Sequence, residues 1–286
     1  MKRIGVVGSG LVAALAASAI LASTAVAVPY PITALPQLGR CVAAAPGTGE
    51  WVGPHCMNLA TPAGSGSFNW LQGPGTKPGF SGEAEGLLEE EPIKLETANS
   101  ANLITCQTAL ISGEYTGAKS EKETIHVIGC TLVATGQPCS SAGQNEGQVE
   151  FSAESSSLGF ISRKTNPPLV GWDLKPISVN MTCLGSTPGE LPTQDTLEGS
   201  VIGRVVKVSV MKKEFSETYR ASGGIQKPTH FEHEPNDVLM SKFTGPPPTF
   251  TMSTEQTGLV MHVASLVNGE RLEIKAKCTK EGVPCT

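Results

Sequence analysis

The chain has 286 residues, of which 39% are hydrophobic and 16% are charged, with 32 glycines, 21 prolines and eight cysteines. Val-, Ile- and Leu-rich segments recur between the turn residues, which argues against a collagen-like, fully disordered or coiled-coil chain. The formal net charge of −5 disfavours binding to nucleic-acid phosphates.

The first 27 residues have the organisation of a secretory signal peptide. Lys2 and Arg3 form a positively charged start, and an apolar stretch follows over residues 11–21. Ala25-Val-Ala27 then supplies the small-x-small pattern of a cleavage site. We therefore expect cleavage after Ala27 and export, to the extracellular space or the cell surface. No later apolar run reaches the roughly 18 residues that a membrane span needs.

No cofactor is predicted, although residues 4–13 imitate the glycine-rich turn of a dinucleotide site. Such a site needs an acidic residue about 20 positions downstream to hold the ribose. The first acidic residue of this chain is Glu50. Removal of Lys2 and Arg3 with the signal leaves 19 basic against 26 acidic residues, a net charge of −7.

All eight cysteines follow the expected cleavage point, and an even number in an exported chain predicts four disulfides. No Cys-x-x-Cys pair occurs, which disfavours a zinc site. Eight cysteines allow 105 connectivities, so the sequence does not fix the pairing. Proximity along the chain favours Cys41–Cys56, Cys130–Cys139 and Cys278–Cys285, which leaves Cys106 with Cys183.

The mature chain divides into three parts by composition. Residues 28–60 form a small module around Cys41 and Cys56, and residues 61–92 are a Gly/Pro/Glu-rich linker or arm. From residue 93 to 286, short β-branched runs with period-2 alternation are separated by turn residues. The prediction is an all-β fold, an antiparallel sandwich or barrel stapled by disulfides.

The closing segment carries a hairpin pattern. Two strand-like runs, residues 258–267 and 271–276, flank Asn268-Gly269, a strong two-residue turn signal. Cross-strand partners share a face of the sheet, so the pairing assigns each side chain to the core or to solvent. The predicted core side is Met261, Val263, Leu272 and Ile274, and the predicted polar side is His262, Glu273 and Lys275.

Several short motifs resemble those of a group of exported proteins. Residues 35–41 (LPQLGRC) with Gly47-Thr-Gly-Glu-Trp51 resemble the opening of uncharacterised secreted proteins of soil actinobacteria. Leu197-Glu-Gly-Ser-Val-Ile-Gly203 and Leu272-Glu-Ile-Lys-Ala276 are similar to later blocks of the same proteins. The resemblance implies export and a β-rich fold, and it implies no activity, cofactor or catalytic residue.

One acidic and histidine-rich stretch is a weak metal candidate. Two imidazoles and several carboxylates within eight residues have the ligand types of a zinc or calcium site. The stretch follows Gly223-Gly224 and Lys227-Pro228, so the alternative is a solvated polar loop. The candidate ligands are His230, Glu232, His233 and Asp237.

Three tryptophans are candidate sugar-stacking residues, namely Trp51, Trp70 and Trp172. Flat aromatic faces stack on sugar rings if they are exposed, and the alternative is that the indoles anchor the core and the arm. No catalytic residue is predicted, because the mature chain lacks a Gly-x-Ser-x-Gly elbow between a strand and a helix.

Together these features predict a secreted, non-enzymatic binding or structural protein of the extracellular space or cell envelope. Its partner is an unknown extracellular ligand or envelope component. The alternative is an exported hydrolase acting on carbohydrate. A hydrolase needs a histidine and a carboxylate or serine that converge in a cleft, whereas a carbohydrate binder needs an exposed indole face.

Overall fold

The structure, a computed structural model, describes residues 35–276 apart from 89, 99–102, 166, 186, 188, 190, 233–236 and 246–251. The predicted signal peptide and the predicted Cys278–Cys285 pair lie outside the described residues. Every regular element that the structure describes is a β-strand. In chain order the strands are β1 (Gln37–Ala43), β2 (Phe68–Gln72), β3 (Gly79–Glu85), β4 (Ile93–Thr97), β5 (Ile104–Cys106), β6 (Thr108–Tyr115), β7 (Ser120–Ile128), β8 (Thr131–Leu132), β9 (Gln137–Ser141), β10 (Gln148–Ser162), β11 (Leu169–Cys183), β12 (Thr193–Val206), β13 (Glu214–Ser222), β14 (Ile225–Lys227), β15 (Leu239–Thr244), β16 (Met252–Val267) and β17 (Glu273–Lys275).

The prediction of an all-β antiparallel fold is confirmed. The strands pair antiparallel, and their side chains alternate between buried and exposed positions, as the period-2 pattern requires. Val, Ile, Phe and Tyr occupy most of the inward positions, where branched and aromatic side chains pack well. No helix long and apolar enough to cross a membrane occurs in the described part of the chain.

Eight strands close into a first barrel, which we call ring 1. Each of its strands pairs with two neighbours, and the ladder between β12 and β13 completes the circle. Closure leaves ring 1 without a free edge, which removes the risk that an exposed edge strand pairs with another chain. The order around ring 1 is β3, β6, β7, β10, β11, β12, β13 and β16.

A second closed circuit, ring 2, shares three long strands with ring 1. The shared strands β11, β12 and β16 have 15, 14 and 16 residues, enough to serve both rings in turn. One half of each strand pairs within ring 1, and the other half pairs within ring 2. The order around ring 2 is β4, β5, β8, β9, β11, β12, β15 and β16.

The junction between the rings is marked by residues that interrupt a regular ladder. The β11–β12 register shifts between Leu174 and Ile177, and Pro176 lies inside that gap. Proline has no backbone N–H, and no ladder hydrogen bond has to be made at this position. On β12 the junction is Gly199, whose φ of 133° is open to glycine but strained for other residues. A Cβ on Gly199 would also lie 2.1 Å from the Val238 carbonyl oxygen. Proline and glycine thus fix the place where the shared strands change partners.

A small sheet, in the order β17, β1 and β2, covers the end of ring 1 that faces away from ring 2. Leu38 and Ile274 are fully buried in the core. The Leu38 amide donates to the Ala118 carbonyl in the β6–β7 turn (2.7 Å). The Ser209 amide, between β12 and β13, donates to the Ile274 carbonyl (2.7 Å). The small sheet is therefore tied to two turns at one end of ring 1.

The predicted hairpin at Asn268-Gly269 is wrong, because β17 pairs with β1 instead of β16. The last half of β16 already has β13 on one side and β3 on the other, so it has no free edge. The predicted burial of Leu272 and Ile274 is confirmed. The predicted solvent exposure of Glu273 and Lys275 is wrong, because the exposed fractions of these residues are 0% and 3%.

The stretch predicted as a linker or arm contains two strands of the fold. Within residues 61–92, β2 joins the small sheet, and β3 lies between β16 and β6 in ring 1. The predicted module at residues 28–60 contains β1, which pairs with β17 from the other end of the described chain. The N-terminal part is therefore built into the fold by long-range pairing.

Three disulfides occur among the described cysteines, and one matches the pairing by proximity. Cys41–Cys56 is confirmed. The structure joins Cys106 to Cys130 and Cys139 to Cys183, so the two pairings predicted for these four cysteines are wrong. The physical reason is register, because β9 pairs with β11 and places Cys139 directly opposite Cys183. Both bonds lie in ring 2.

Gly203 leaves the space that the Tyr219 ring occupies inside ring 1. A Cβ on Gly203 would lie 2.5 Å from Tyr219 Cζ, and Tyr219 is fully buried. Gly203→Ala is expected to lower the free energy of unfolding by about 1–3 kcal/mol in urea titrations, because the packed ring must shift. Gly53→Ala is the matched control, since no atom lies within 4 Å of the added carbon. Equal losses in the two variants would contradict this account.

Candidate functional site

A cavity of about 210 Å³ lies beside the junction of the two rings. It is bounded by β14, by the start of β15 with the residues that precede it, and by the first half of β16. Its walls combine amide, hydroxyl and carboxyl side chains with three aliphatic ones. The polar lining residues are Gln226, Thr229, Asp237, Gln256 and Thr257, and the aliphatic ones are Ile225, Val238 and Leu239.

Gln226 is held in one orientation by three hydrogen bonds. Its Oε1 accepts from the Ile202 amide (3.1 Å), and its Nε2 donates to the carbonyl oxygens of Ser200 (3.1 Å) and Asp237 (2.7 Å). The residue is buried. A side chain fixed in this way is already ordered before any ligand arrives, which lowers the entropy cost of binding.

Asp237 and Thr257 keep unsatisfied hydrogen-bonding capacity in the cavity wall. Asp237 Oδ1 accepts from the Ser200 hydroxyl (2.9 Å), and the Asp237 amide donates to the Thr229 carbonyl (3.0 Å). Asp237 Oδ2 and Thr257 Oγ1 are buried and have no hydrogen-bond partner among the described residues. An unsatisfied buried polar atom costs about 1–3 kcal/mol, so a partner for either atom would stabilise the site.

The predicted metal ligands do not come together among the described residues. Glu232 Oε1 accepts from the Phe160 amide (2.9 Å), and Glu232 Oε2 pairs with the Arg163 guanidinium (2.7 Å). His230 is exposed, with its Nδ1 2.9 Å from the Thr229 hydroxyl. His233 lies outside the described residues. Within the described residues no group of three or more His, Cys, Asp or Glu has an arrangement that could hold a metal ion.

Two of the three candidate sugar-stacking tryptophans have no open face. Trp172 and Trp51 have exposed fractions of 0% and 1%. Trp172 packs inside ring 1 against Tyr115, with ring centroids 5.9 Å apart. Sugar stacking needs an accessible indole, so the hypothesis does not fit these two residues. Trp70 is half-buried, and stacking there stays a prediction.

Trp51 and Trp70 hold the Lys275 ammonium between them on the outer face of the small sheet. Lys275 Nζ lies 4.5 Å from the Trp51 ring centroid and 4.1 Å from that of Trp70. It also donates a hydrogen bond to the Cys56 carbonyl oxygen. These contacts combine cation–π attraction with a backbone acceptor, and they explain how a lysine is tolerated in a buried position.

Glu273 lies two residues before Lys275 on the same face of β17 and is also buried. Burial raises the pKa of Glu273 to about 7, although the positive charge of Lys275 opposes the shift. Burial lowers the pKa of Lys275 to about 8, and the negative charge of Glu273 opposes that shift. The two groups therefore depend on each other for their charged forms.

Sequence reasoning missed a cluster of carboxyl groups inside ring 1. Glu121 and Glu123 on β7 and Glu217 on β13 are buried, with exposed fractions of 1%, 5% and 5%. The sequence pattern of β7 did indicate them, because Glu121 and Glu123 alternate in step with Ile125 and Val127 and therefore point to the same face of the strand. Acidic residues on the apolar side of an alternating strand identify buried carboxyl groups.

Among the described histidines, His126 and His262 lie on the outer faces of two different strands, and His230 is exposed, beside the hydroxyl of Thr229, which lines the junction cavity. His126 Nδ1 approaches Glu150 Oε2 at 3.6 Å, and both side chains are partly exposed. His262 lies opposite Glu85 on the outer side of β16. Strands β3 and β6 separate the strands that carry His126 and His262.

Comparison with protein-family models, with curated proteins and with solved structures finds no match for this chain. The resemblance to secreted actinobacterial proteins therefore stays a prediction. The function has to be argued from the geometry of the chain itself.

Proposed function

We propose that this chain is an exported, non-enzymatic binding or structural protein of the extracellular space or cell envelope, and that the junction cavity takes its ligand. The signal-like start supports export. Three disulfides in the described fold support an oxidising destination.

The junction cavity carries the proposal of binding. Gln226 is fixed by three hydrogen bonds, and Asp237 and Thr257 each have a buried oxygen without a hydrogen-bond partner in the part of the chain that the structure describes. A volume of about 210 Å³ is below the ~300–1,000 Å³ of pockets for drug-sized ligands, which suits a small molecule. The aliphatic lining residues offer apolar contact to such a ligand.

The hydrolase alternative gains less support from the same geometry. General acid–base catalysis needs a titratable pair within hydrogen-bond reach of a reacting atom. The lining of the junction cavity includes one carboxyl group, Asp237, and no histidine or cysteine among the described residues. The approach of His126 to Glu150 lies on an outer face of ring 1.

Export is tested on material recovered outside the cells that express the full chain. We expect its N-terminus to be Val28 and its denatured, unreduced form to show few titratable thiols. Intracellular retention with an intact Met1, or mostly free thiols, would overturn the proposal of export.

Binding is tested by blocking the cavity at its exposed rim. Ile225 lines the cavity and is 41% exposed, so Ile225→Trp adds bulk at the entrance with little change to the core. We expect amines, polyols, amino acids and monosaccharides, screened by thermal shift and calorimetry, to include a ligand of the unmodified protein. That ligand should bind Ile225→Trp at least tenfold more weakly.

Leu266→Trp is the matched control, because Leu266 is also exposed on a strand and lies away from the cavity. Its affinity for the ligand should equal that of the unmodified protein. Equal weakening in both variants would place the ligand elsewhere, and no binding across the whole panel would remove the proposal of a ligand site.

A further inference from the structure

Ring 1 encloses three carboxyl groups from two different strands. Glu121 and Glu123 point inward from β7, and Glu217 points inward from β13. Ser156 on β10 lies directly opposite Glu121 in the ladder, so the two side chains share the inner face. Ser156 Oγ and Glu121 Oε1 are buried and have no hydrogen-bond partner among the described residues.

Among the described residues, no buried basic side chain inside ring 1 compensates these groups. The titratable side chains that face them are two tyrosines, Tyr115 from β6 and Tyr219 from β13. The Tyr219 hydroxyl donates to Glu217 Oε2 (3.0 Å). The one basic residue among the buried charged residues that the structure describes is Lys275, which lies in the small sheet.

The rest of the surroundings is aromatic and aliphatic. Tyr115 packs against Phe80, with ring centroids 4.7 Å apart, and against Trp172 and Phe215 at 5.9 and 6.5 Å. An ionised carboxylate in such an interior is costly unless a cation pairs with it, whereas a protonated carboxyl is a neutral donor and acceptor. Two or three negative charges in one ring would also repel each other.

We propose that the glutamates of ring 1 form a proton-dependent latch: their neutral, protonated forms stabilise the closed ring, so the folded chain is most stable in acid and loses stability progressively as the pH rises. The latch needs no ligand, so it is independent of the junction cavity.

The direction of the pH dependence follows from burial. Burial raises the pKa of Glu121 and Glu123 well above 4.5, and the nearby Glu217 raises both further. Burial also raises the pKa of Glu217 to about 7, against the Tyr219 hydrogen bond. Between pH 4.5 and the folded-state pKa, the folded chain holds protons that the unfolded chain has released. Unfolding releases these protons, so a rising pH favours the unfolded chain. For each such proton, the equilibrium constant for folding falls about tenfold per pH unit.

The test is urea unfolding of the oxidised mature chain, residues 28–286, at pH 5, 6, 7 and 8. We expect the equilibrium constant for folding to fall by at least a hundredfold per unit between pH 5 and 6, because Glu121 and Glu217 each hold one proton in the folded chain there. In Glu217→Gln and in Glu121→Gln, the fall per pH unit should be about tenfold smaller than in the unmodified chain, because a neutral amide does not ionise. Glu83→Gln, on the exposed outer side of β3, is the matched control and should keep the original slope.

Asp195 and Glu273 are also buried acids, and their pKa values are raised to about 6 and about 7. Both are still present in each glutamine variant, so the difference in slope between a variant and the unmodified chain reports the latch alone. A slope that stays unchanged in both glutamine variants would overturn the proposal. Stability that rises from pH 5 to 8 would overturn it as well.

Infrared spectroscopy gives a second readout that needs no unfolding. The unmodified chain at pH 6.5 should show a carbonyl band of protonated carboxyl groups, and this band should shrink in Glu121→Gln while it persists in Glu83→Gln. The absence of this band from the unmodified chain at pH 6.5 would contradict the latch, even if a glutamine variant fails to fold.

Discussion

Replacement of Lys275 by methionine is expected to lower the free energy of unfolding by about 3–5 kcal/mol at pH 7. Glu273 has an exposed fraction of 0%, and its two carboxyl oxygens have no hydrogen-bond partner among the described residues. The positive charge of Lys275 is what favours the ionised form of Glu273. Without it, a buried acid is left uncompensated, and the cation–π contacts with Trp51 and Trp70 are lost as well.

A double variant separates the charge effect from a packing effect. In Lys275→Met with Glu273→Leu, both charges are replaced by apolar groups of similar size, and the stability should return to within about 1 kcal/mol of the unmodified chain. Lys122→Met is the surface control, because Lys122 meets Glu154 in an exposed pair at 3.9 Å, and it should cost less than about 1 kcal/mol. A double variant as unstable as Lys275→Met would show that the loss is one of packing.

Removal of the Cys139–Cys183 disulfide is expected to cost about 4 kcal/mol, because the bond closes a loop with a sequence separation of 44. The loss arises mainly in the unfolded chain, which gains conformational freedom when the cross-link is absent. The measurement is urea unfolding of the Cys139→Ala, Cys183→Ala double variant. In the folded state the same bond pins β9 to β11 in ring 2.

The control is the Cys41→Ala, Cys56→Ala double variant, with a sequence separation of 15 and an expected loss of about 3 kcal/mol. Peptide mapping without reduction should recover Cys139 joined to Cys183. A peptide that joins Cys130 to Cys139 would contradict the register of β9 on β11.

The alternation along single strands was sufficient to predict the class of fold and many core residues. Met261 and Val263 on β16, Leu272 just before β17 and Ile274 within it are buried as expected. The face to which a strand residue points depends only on its position along its own strand. The same alternation indicates Glu121 and Glu123 as inward residues.

Partner choice between strands could not be predicted from local pattern. The Asn268-Gly269 turn signal is strong, but β16 has both edges occupied by β13 and β3, so β17 pairs with β1 instead. The pairing of Cys139 with Cys183 likewise depends on which strand lies beside β11. Edge availability is a property of the whole sheet, and it overrides a local turn preference.

The candidate site was only partly accessible from sequence. Asp237 was singled out as a metal ligand, and it lines the junction cavity with Gln226 and Thr257, which no motif indicated. Glu232 was grouped with it, yet its carboxylate is bound to Arg163 and to the Phe160 amide. Side chains that lie within a few residues of each other in the chain therefore need not share a site.

By itself, the sequence determined the all-β class, the inward positions of Met261, Val263, Leu272 and Ile274, and the signal-like start, because each of these depends on residues near one another in the chain. Only the tertiary structure decided the two closed rings with shared strands, two of the disulfide pairs, the cavity at the junction and the interior placement of Glu217 beside Glu121 and Glu123. Those features depend on which strand edges are still free when the sheet closes, and that choice is made by contacts between distant segments.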